Sequence, residues 1–257
     1  EAFELLRFKM IPTLLEKKEN GLSVRIWTVG TSTGEEAYSI AMLISEYMEK
    51  HNKQFDVKIF ATDLDKEHIE QASVGIYPES IISDVSLERL EKYFTKVEYG
   101  YKIKDKIRRM VIYAQQNIIK DPPFSKLDLI TCRNMLIYLN TEMQRKILSM
   151  FYYSLVPGGG LFLGSSESLG ELTDGFNVIN NKWKLYQQKS GFTPPFAGNH
   201  LMPVKNLGIK SQMGRQNFDY LIKEKQIIPD SVFSDLLEAV LPPSVIVNDN
   251  FKVVHLF

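Results

Sequence analysis

Cysteine is almost missing: Cys132 stands alone in 257 residues, so the chain has no intramolecular disulfide and no thiolate cluster for a metal. Histidine is scarce too, and His51, His68, His200 and His255 are scattered without the spacing of a ligand set. Metal chemistry is not expected. An excess of charge of one sign is also lacking, because 31 Lys and Arg balance 31 Asp and Glu. No long-range field therefore draws nucleic acid or an anionic membrane surface, and any partner must be recognised locally. Nor is there an apolar run near the roughly 20 residues that cross a bilayer. The opening EAFELLRFKM reads as an amphipathic helix rather than a signal peptide, so no membrane insertion and a cytoplasmic location are the expectation. No Ser/His/Asp or Cys/His constellation is recognisable.

What is there, 44% hydrophobic and 24% charged residues with 11 prolines and 15 glycines, is the composition of a soluble globular chain of one or two domains. From Arg25 to about Lys189, short β-rich runs alternate with helical ones, the form of an α/β domain with a mostly parallel sheet. RIWTVG (25–30) is the first strand, and TSTG leads into the helix EEAYSIAMLISEYMEK, where Ala37, Ile40, Ala41, Ile44, Tyr47 and Met48 mark one buried face. VKIFATD (57–63) is a second strand, followed by helical DKEHIEQAS. Past Gly75 the chain is more polar, and YGYKIKDKIRRMVIYAQQ reads as two extended runs joined by a charged turn at Lys104 to Lys106, placing a small β insertion near 95–115. LDLITCRNML is a further core strand and TEMQRKILSMFYYSL a helix opened by Thr141 and stopped by VPGGG; LFLGSS and WKLYQQK supply the last strands. A Pro- and Gly-containing linker is expected over 190–229. In 230–257 a helix, DSVFSDLLEAV, precedes two β-rich runs around Asn248-Asp249-Asn250, a hairpin signal, and the chain reads as cut inside a further domain.

The first strand ends in VGTSTGEE, two glycines and three small hydroxyl residues where strand turns into helix. Gly30 and Gly34 carry no Cβ and let the backbone approach a ligand, at the strand end where doubly wound sheets bind nucleotides or nucleosides. A phosphate loop is excluded, since its lysine is missing and Glu35 and Glu36 follow Gly34. Two carboxylates at a helix N-terminus gain from the dipole, which explains them without any ligand. They would also repel a phosphate. A ligand with a cationic end and no phosphate suits this turn, and S-adenosylmethionine, with its sulfonium and α-amino groups, fits that description. Asp63, ending the second strand, can accept both hydroxyls of a ribose, while Asp63 or Asp65 can equally cap the following helix. Asn117 can bond an adenine edge with Ile118 covering the face, or bond its own backbone in the turn.

In that order over about 1–189, RIWTVGTSTGEEAYSIAM, FATDLD, NIIKDPPFSKLDLITCRNMLIYLN and LVPGGGLFLGSSESL resemble the chemotaxis receptor methyltransferases (CheR); STGEEAYS and CRNMLIY are the most specific parts. The resemblance implies a Rossmann-like S-adenosylmethionine-dependent methyltransferase fold, helices on both faces of a mostly parallel sheet, and esterification of receptor glutamates with S-adenosylhomocysteine as product. It implies that Gly30, Ser32, Thr33 and Gly34 line the cofactor turn and that Glu36 holds the methionine amino group. Asp63 would bind the ribose, Asn117 and Ile118 the adenine, and Arg133 would lie against the cofactor, with Asn134 also matching the family's pattern. Tyr138 matches the tyrosine beside the transferred methyl, so Tyr138 and Arg133 are the implied catalytic pair; the plainer reading of Tyr138 is an aromatic packed under the next helix. Cys132 reads as a small buried residue. Thr31 and Ala37 stand where many relatives have Cys or Ala and Pro, small changes that leave the turn intact.

AQQNIIKDPPFSKLDLITCRN and PPSVIVNDN look like the hybrids in which an esterase-like domain, the methyltransferase and a PAS-type sensor share one polypeptide. The expectation is therefore a methyltransferase domain over 1–189 and a truncated start of a PAS-like domain within 230–257. The family's all-helical N-terminal domain and its arginine-bearing segment near the methyl donor are not in this sequence, so the resemblance implies the fold of this stretch rather than its activity alone. Around Tyr99 to Lys106 the glycine and arginine pattern with which some relatives grip a receptor's C-terminal pentapeptide is missing too, and such tethering is not implied. The implied partner is the cytoplasmic helices of a chemoreceptor or a receptor-like protein. Other readings are a methyltransferase with another acceptor and a noncatalytic or cofactor-sensing signalling module.

Overall fold

A computed structural model describes residues 1–194 together with the backbone of Val245–Val247 and Val253–Leu256. The chain opens on a helical rod of α1 (Ala2–Leu5), a π turn at Leu6–Met10 and α2 (Ile11–Leu15). β1 (Ser23–Val29) leads into α3 (Glu35–Lys50), and β2 (Asp56–Asp63) into α4 (Lys66–Val74). A small antiparallel sheet follows, made of β3 (Ile76–Tyr77), β4 (Phe94–Val97) and β5 (Gly100–Ile103), with α5 (Leu87–Tyr93) between β3 and β4. Then come α6 (Asp105–Arg108), β6 (Val111–Gln115), β7 (Leu127–Cys132), α7 (Thr141–Ser154), β8 (Leu155–Leu163), β9 (Phe176–Asn180) and β10 (Leu185–Gln188).

The large sheet has the order β6-β2-β1-β7-β8-β10-β9. Its first five strands are parallel neighbours, and β10 runs antiparallel to both β8 and β9. Alternation along the central strands splits the core between two faces, as a covered parallel sheet requires. Val24, Ile26 and Leu129 join Ala37, Ile40, Ala41 and Ile44 of α3 and Leu6 and Met10 of the N-terminal rod. Trp27, Val29, Ile130 and Cys132 join Ile147, Leu148 and Phe151 of α7. This is the mostly parallel α/β architecture, covered on both faces, that the sequence pattern predicts and the family resemblance implies.

Four local expectations are corrected. Residues 111–115, placed within the insertion, form β6, which pairs parallel with β2 at the edge of the large sheet; the insertion is the β3–β5 sheet. A five-residue β-rich run such as VIYAQ carries no mark of which sheet it joins. Residues 105–108 are a helical turn where a plain charged turn was expected. VPGGG does not stop α7 but lies inside β8, beside a register shift on β7 between Leu127 and Leu129, the irregular kind of site where Pro and Gly enter strands. Asn140, one residue before Thr141, is the cap of α7, its side chain accepting the Met143 N–H at 3.0 Å.

The linker over 190–229 and the segment DSVFSDLLEAV lie largely or wholly outside the described residues. In a separate unit (Val204–Phe257), β11 (Val245–Val247) pairs antiparallel with β12 (Val253–Leu256). Among the described residues no helix is long and apolar enough to cross a membrane.

Between β1 and α3 the backbone turns through Gly30 (φ 67°), Ser32 (φ 47°) and Gly34 (φ 89°). Gly34 was expected to face a ligand; its neighbours are protein. A Cβ there would stand 2.5 Å from the Tyr113 hydroxyl and 2.9 Å from the Ala72 Cβ, whereas one on Gly30 would meet nothing closer than Met135 at 3.4 Å. Gly30→Ala should therefore cost about 1–2 kcal/mol of left-handed strain, and Gly34→Ala that strain plus overpacking, about 2–5 kcal/mol. Urea unfolding midpoints measure the difference. Equal losses at the two positions would mean that the Tyr113 and Ala72 contacts yield freely.

Candidate functional site

Because β1, β2, β6 and β7 are parallel, the segments that follow them emerge at one edge of the sheet, the edge at which open α/β sheets bind ligands. There they line a cleft of about 650 Å³. Val29, Gly30 and Ser32 come from the end of β1, and Thr62, Asp63 and Leu64 from the end of β2, with His68 from α4. Gln116, Asn117, Ile118 and Ile119 follow β6; Asn134, Met135, Tyr138 and Leu139 follow β7.

Asp63 and Asp65 divide the two roles that the sequence left open. Asp65 caps α4, its Oδ1 accepting the N–H of Glu67 at 2.8 Å and of His68 at 3.3 Å. Asp63 is held in the cleft wall, Oδ2 accepting the Ser32 N–H at 2.8 Å and Oδ1 the Asp65 N–H at 3.0 Å. Each carboxylate oxygen has two lone pairs, so two acceptor sites stay available. Asn117 uses its side-chain oxygen locally, accepting the Ile119 N–H at 3.0 Å, while its own N–H donates to Asp121 at 2.7 Å. That leaves its amide NH₂ as the group it can offer a ligand. Tyr138 is 81% exposed and not packed beneath the following helix. Asn134, at φ 60°, is the second residue after β7.

Of the expected site residues, Gly30, Ser32, Asp63, Asn117, Ile118, Asn134 and Tyr138 line the cleft; Thr33, Gly34, Glu36 and Arg133 do not. The Thr33 hydroxyl is turned to the Glu35 carboxylate at 2.7 Å, and its carbonyl accepts the Tyr77 hydroxyl at 2.9 Å. Glu36, in the first turn of α3, reaches across to the end of β7. It accepts a short hydrogen bond from the Thr131 hydroxyl and pairs with the Arg133 guanidinium at 3.3 Å. Arg133 in turn lies over the Phe162 ring at 4.8 Å and the Phe3 ring at 5.4 Å. Burial pushes the Glu36 carboxyl above its ordinary range, outweighing the Thr131 hydrogen bond and the Arg133 charge.

Sequence reasoning missed Gln116, His68, Met135 and Glu167. Glu167, 4% exposed, accepts N–H groups of Met135, Leu136 and Gly164 at 2.9, 2.7 and 2.6 Å. Its only sequence signal is a carboxylate between serines in GSSESL, which reads equally well as a polar loop.

The donor set fits an adenosyl sulfonium compound. Asp63 offers acceptors, Gln116 holds a buried side-chain oxygen with no hydrogen-bond partner, and Leu64, Ile118, Ile119 and Met135 supply apolar surface. Glu36 is a carboxylate whose negative charge its neighbours only partly compensate.

Residues 1–185 match the family described as "CheR methyltransferase, SAM binding domain". An uncharacterized 104.1 kDa protein of Rhodobacter capsulatus is 39% identical over 187 residues, 73% of this chain and 20% of that protein. A probable chemotaxis protein methyltransferase of Rhizobium etli is 36% identical over 183 residues, 69% of this chain and 68% of that one. The chain thus spans a fifth of the first relative and about two thirds of the second. Among solved structures, PKMT2 from Rickettsia typhi in complex with AdoHcy is 18% identical with a TM-score of 0.36, covering 61% of this chain and 24% of that one.

Since the Glu36 carboxyl is raised in the folded state, the fold holds its proton more tightly than the unfolded chain does. Its contribution to stability must therefore fall as pH rises from the ordinary carboxylate value through the raised one. Glu36→Gln, neutral and able to keep the hydrogen bond accepted from Thr131 though not the Arg133 pairing, should melt at or above the wild-type temperature at neutral pH and lose that part of the pH slope. Thermal denaturation between pH 4 and pH 8 reads both. A variant markedly less stable at neutral pH would show that the Arg133 pairing outweighs the burial.

Proposed function

The chain belongs to the CheR methyltransferase family, and from that premise we propose that it forms the cofactor-binding part of an enzyme that esterifies glutamate side chains of chemoreceptors. The observation that carries this reading is one cleft holding both the Asp63 carboxylate, with acceptor sites to spare, and the exposed Tyr138 ring. S-adenosylmethionine, when bound, supplies an electrophilic methyl group on a sulfonium.

The residues of this chain have four tasks. Asp63, fixed by two backbone N–H groups, is a pre-set acceptor for ribose hydroxyls. Glu36, which does not itself line the cleft, is the carboxylate that the family pattern assigns to the ammonium group, and the Arg133 guanidinium pairs with it at 3.3 Å. Ile118, Ile119 and Met135 present apolar surface to an adenine ring and exclude water from its faces. Tyr138 stands at the opening, where its hydroxyl can donate to an incoming carboxylate oxygen. The acceptor glutamate, with a reference pKa of about 4.3, arrives ionised, so no residue must remove a proton. Aligning the reactants in a dry site can supply on the order of 7–11 kcal/mol. The acceptor is a receptor-like protein, and the reaction belongs inside the cell, where the cytoplasmic helices of chemoreceptors are.

Calorimetric titration with S-adenosylmethionine and S-adenosylhomocysteine tests the cofactor half. Asp63→Asn should weaken both affinities about 10–100-fold, the loss of charged hydrogen bonds worth about 1.5–3 kcal/mol. Formation of base-labile methyl esters on receptor glutamates tests the acceptor half. Tyr138→Phe should slow ester formation about 10–100-fold, the scale of one hydrogen bond to a charged group, about 1.5–3 kcal/mol, with cofactor affinity nearly unchanged. Tight binding without any ester would instead favour the cofactor-sensing module.

A further inference from the structure

Tyr138 ends a three-residue 3₁₀ turn, Leu136–Tyr138. So short a turn has little hold on its own geometry. It is closed by the Tyr138 N–H on the Met135 carbonyl at 3.2 Å and the Leu139 N–H on the Leu136 carbonyl at 3.0 Å. Both ends are gripped by side chains from outside the turn. At the amino end, Glu167 accepts the Met135 and Leu136 N–H groups at 2.9 and 2.7 Å through one oxygen, and the Gly164 N–H at 2.6 Å through the other. At the carboxyl end, the Gln144 amide donates to the Leu136 and Leu139 carbonyls, both at 2.9 Å.

The chemistry of the two grips is complementary. A carboxylate only accepts, and all three of its partners here are donors; an amide NH₂ donates twice, and both of its partners are acceptors. Glu167 is 4% exposed, and no salt bridge to it is formed among the described residues, so backbone N–H dipoles carry its charge. A surface loop needs no such grip. This one carries Asn134, Met135, Tyr138 and Leu139 into the cleft.

We propose that Glu167 and Gln144 are positioning residues that hold the turn at Leu136–Tyr138 from its two ends and so set where Tyr138 meets the acceptor; this rests on the role given to Tyr138 above. They touch neither cofactor nor acceptor, and they act through the tyrosine.

The test uses the whole chain with Gln144→Met, which removes both donors while keeping length and apolar stem, and with Glu167→Gln, each alone and combined with Tyr138→Phe. Gln144→Met should lower kcat for ester formation about tenfold, with the acceptor KM and the S-adenosylhomocysteine affinity within about twofold. In the Tyr138→Phe background the same change should lower kcat by less than about twofold, because residues acting as a unit are not additive. Hydrogen exchange supplies a readout that needs no catalysis: the Leu136 to Leu139 amides should exchange about tenfold faster in Gln144→Met, with α7 beyond its first turns unchanged. Equal kcat losses in both backgrounds, or a turn whose exchange does not change, would overturn the proposal. If Glu167→Gln fails to fold, Gln144→Met decides alone. If the wild-type chain neither forms ester nor binds S-adenosylhomocysteine, the functional reading fails by that result, and unaltered exchange in Gln144→Met would separately sink the clamp.

Discussion

The site depends on the level at which parallel strands end. In the pairing of β1 with its neighbours, Val29 stands opposite Thr62 of β2 and Cys132 of β7, so the next residues, Gly30, Asp63 and Arg133, come at one level along the strand ends. β6 and β8 continue the same line, with Gln115 opposite Asp63 and Leu163 opposite Cys132. Segments more than a hundred residues apart in sequence are thereby brought to one edge without any side chain needing to find another. A slip of one residue in either pairing would reverse every side chain on that strand, burying Asp63 or exposing the core beneath it. Core packing on both faces forbids the slip, since Ile26 and Leu129 face one layer while Trp27 and Ile130 face the other.

Three carboxylates meet this edge, and each is held in a different way. Asp63 is half-exposed and fixed by two backbone N–H groups, so it is oriented at little desolvation cost. Glu167 is buried with three N–H groups, and both of its oxygens accept hydrogen bonds. Glu36 is the deficient one. A hydroxyl and a guanidinium at 3.3 Å do not offset its burial, which is why its carboxyl is raised. A buried carboxylate with too little positive charge beside it is an arrangement that an ammonium group would relieve, and on that ground Glu36 is proposed above for the ammonium of the cofactor. Arg133 is itself shared, lying over Phe3 and Phe162, so the N-terminal rod and β8 both help decide how far it leans toward Glu36.

Much of this was legible in the sequence. Strand-to-helix alternation, the VGTSTGEE turn and Asp63 at the end of the second strand are local patterns, and the structure makes local elements of them. Where the pattern stopped short, the missing information was long-range. Nothing in VIYAQ says whether it extends an insertion or edges the main sheet, because that depends on pairing with β2. Glu36 reads as one more helix N-terminal carboxylate until β7 brings Thr131 and Arg133 against it from nearly a hundred residues away. Gly34 looks like a ligand-facing glycine, yet the demand on it comes from Tyr113 and Ala72 on two other elements. Glu167 had only the weak signal of a carboxylate between serines, since three backbone donors from two loops leave no trace in residue identity.

A reaction whose nucleophile arrives already charged asks unusual things of a protein. With no proton to move, side-chain pKa values near neutrality bring no advantage, and the Tyr138 hydroxyl needs only to be in place. In the proposed transfer what remains for the protein is to align the acceptor oxygen with the methyl–sulfur line, and such alignment rests on backbone rigidity. Strand ends are rigid by pairing, which accounts for Asp63 and Gly30. The turn at Leu136–Tyr138 is not a strand and has only two hydrogen bonds of its own, so rigidity there must come from elsewhere. Placing a buried carboxylate at one end and a two-donor amide at the other satisfies five backbone groups that would otherwise turn to water, and water is what the site must exclude. The same polar groups that fix the loop thus also dry it.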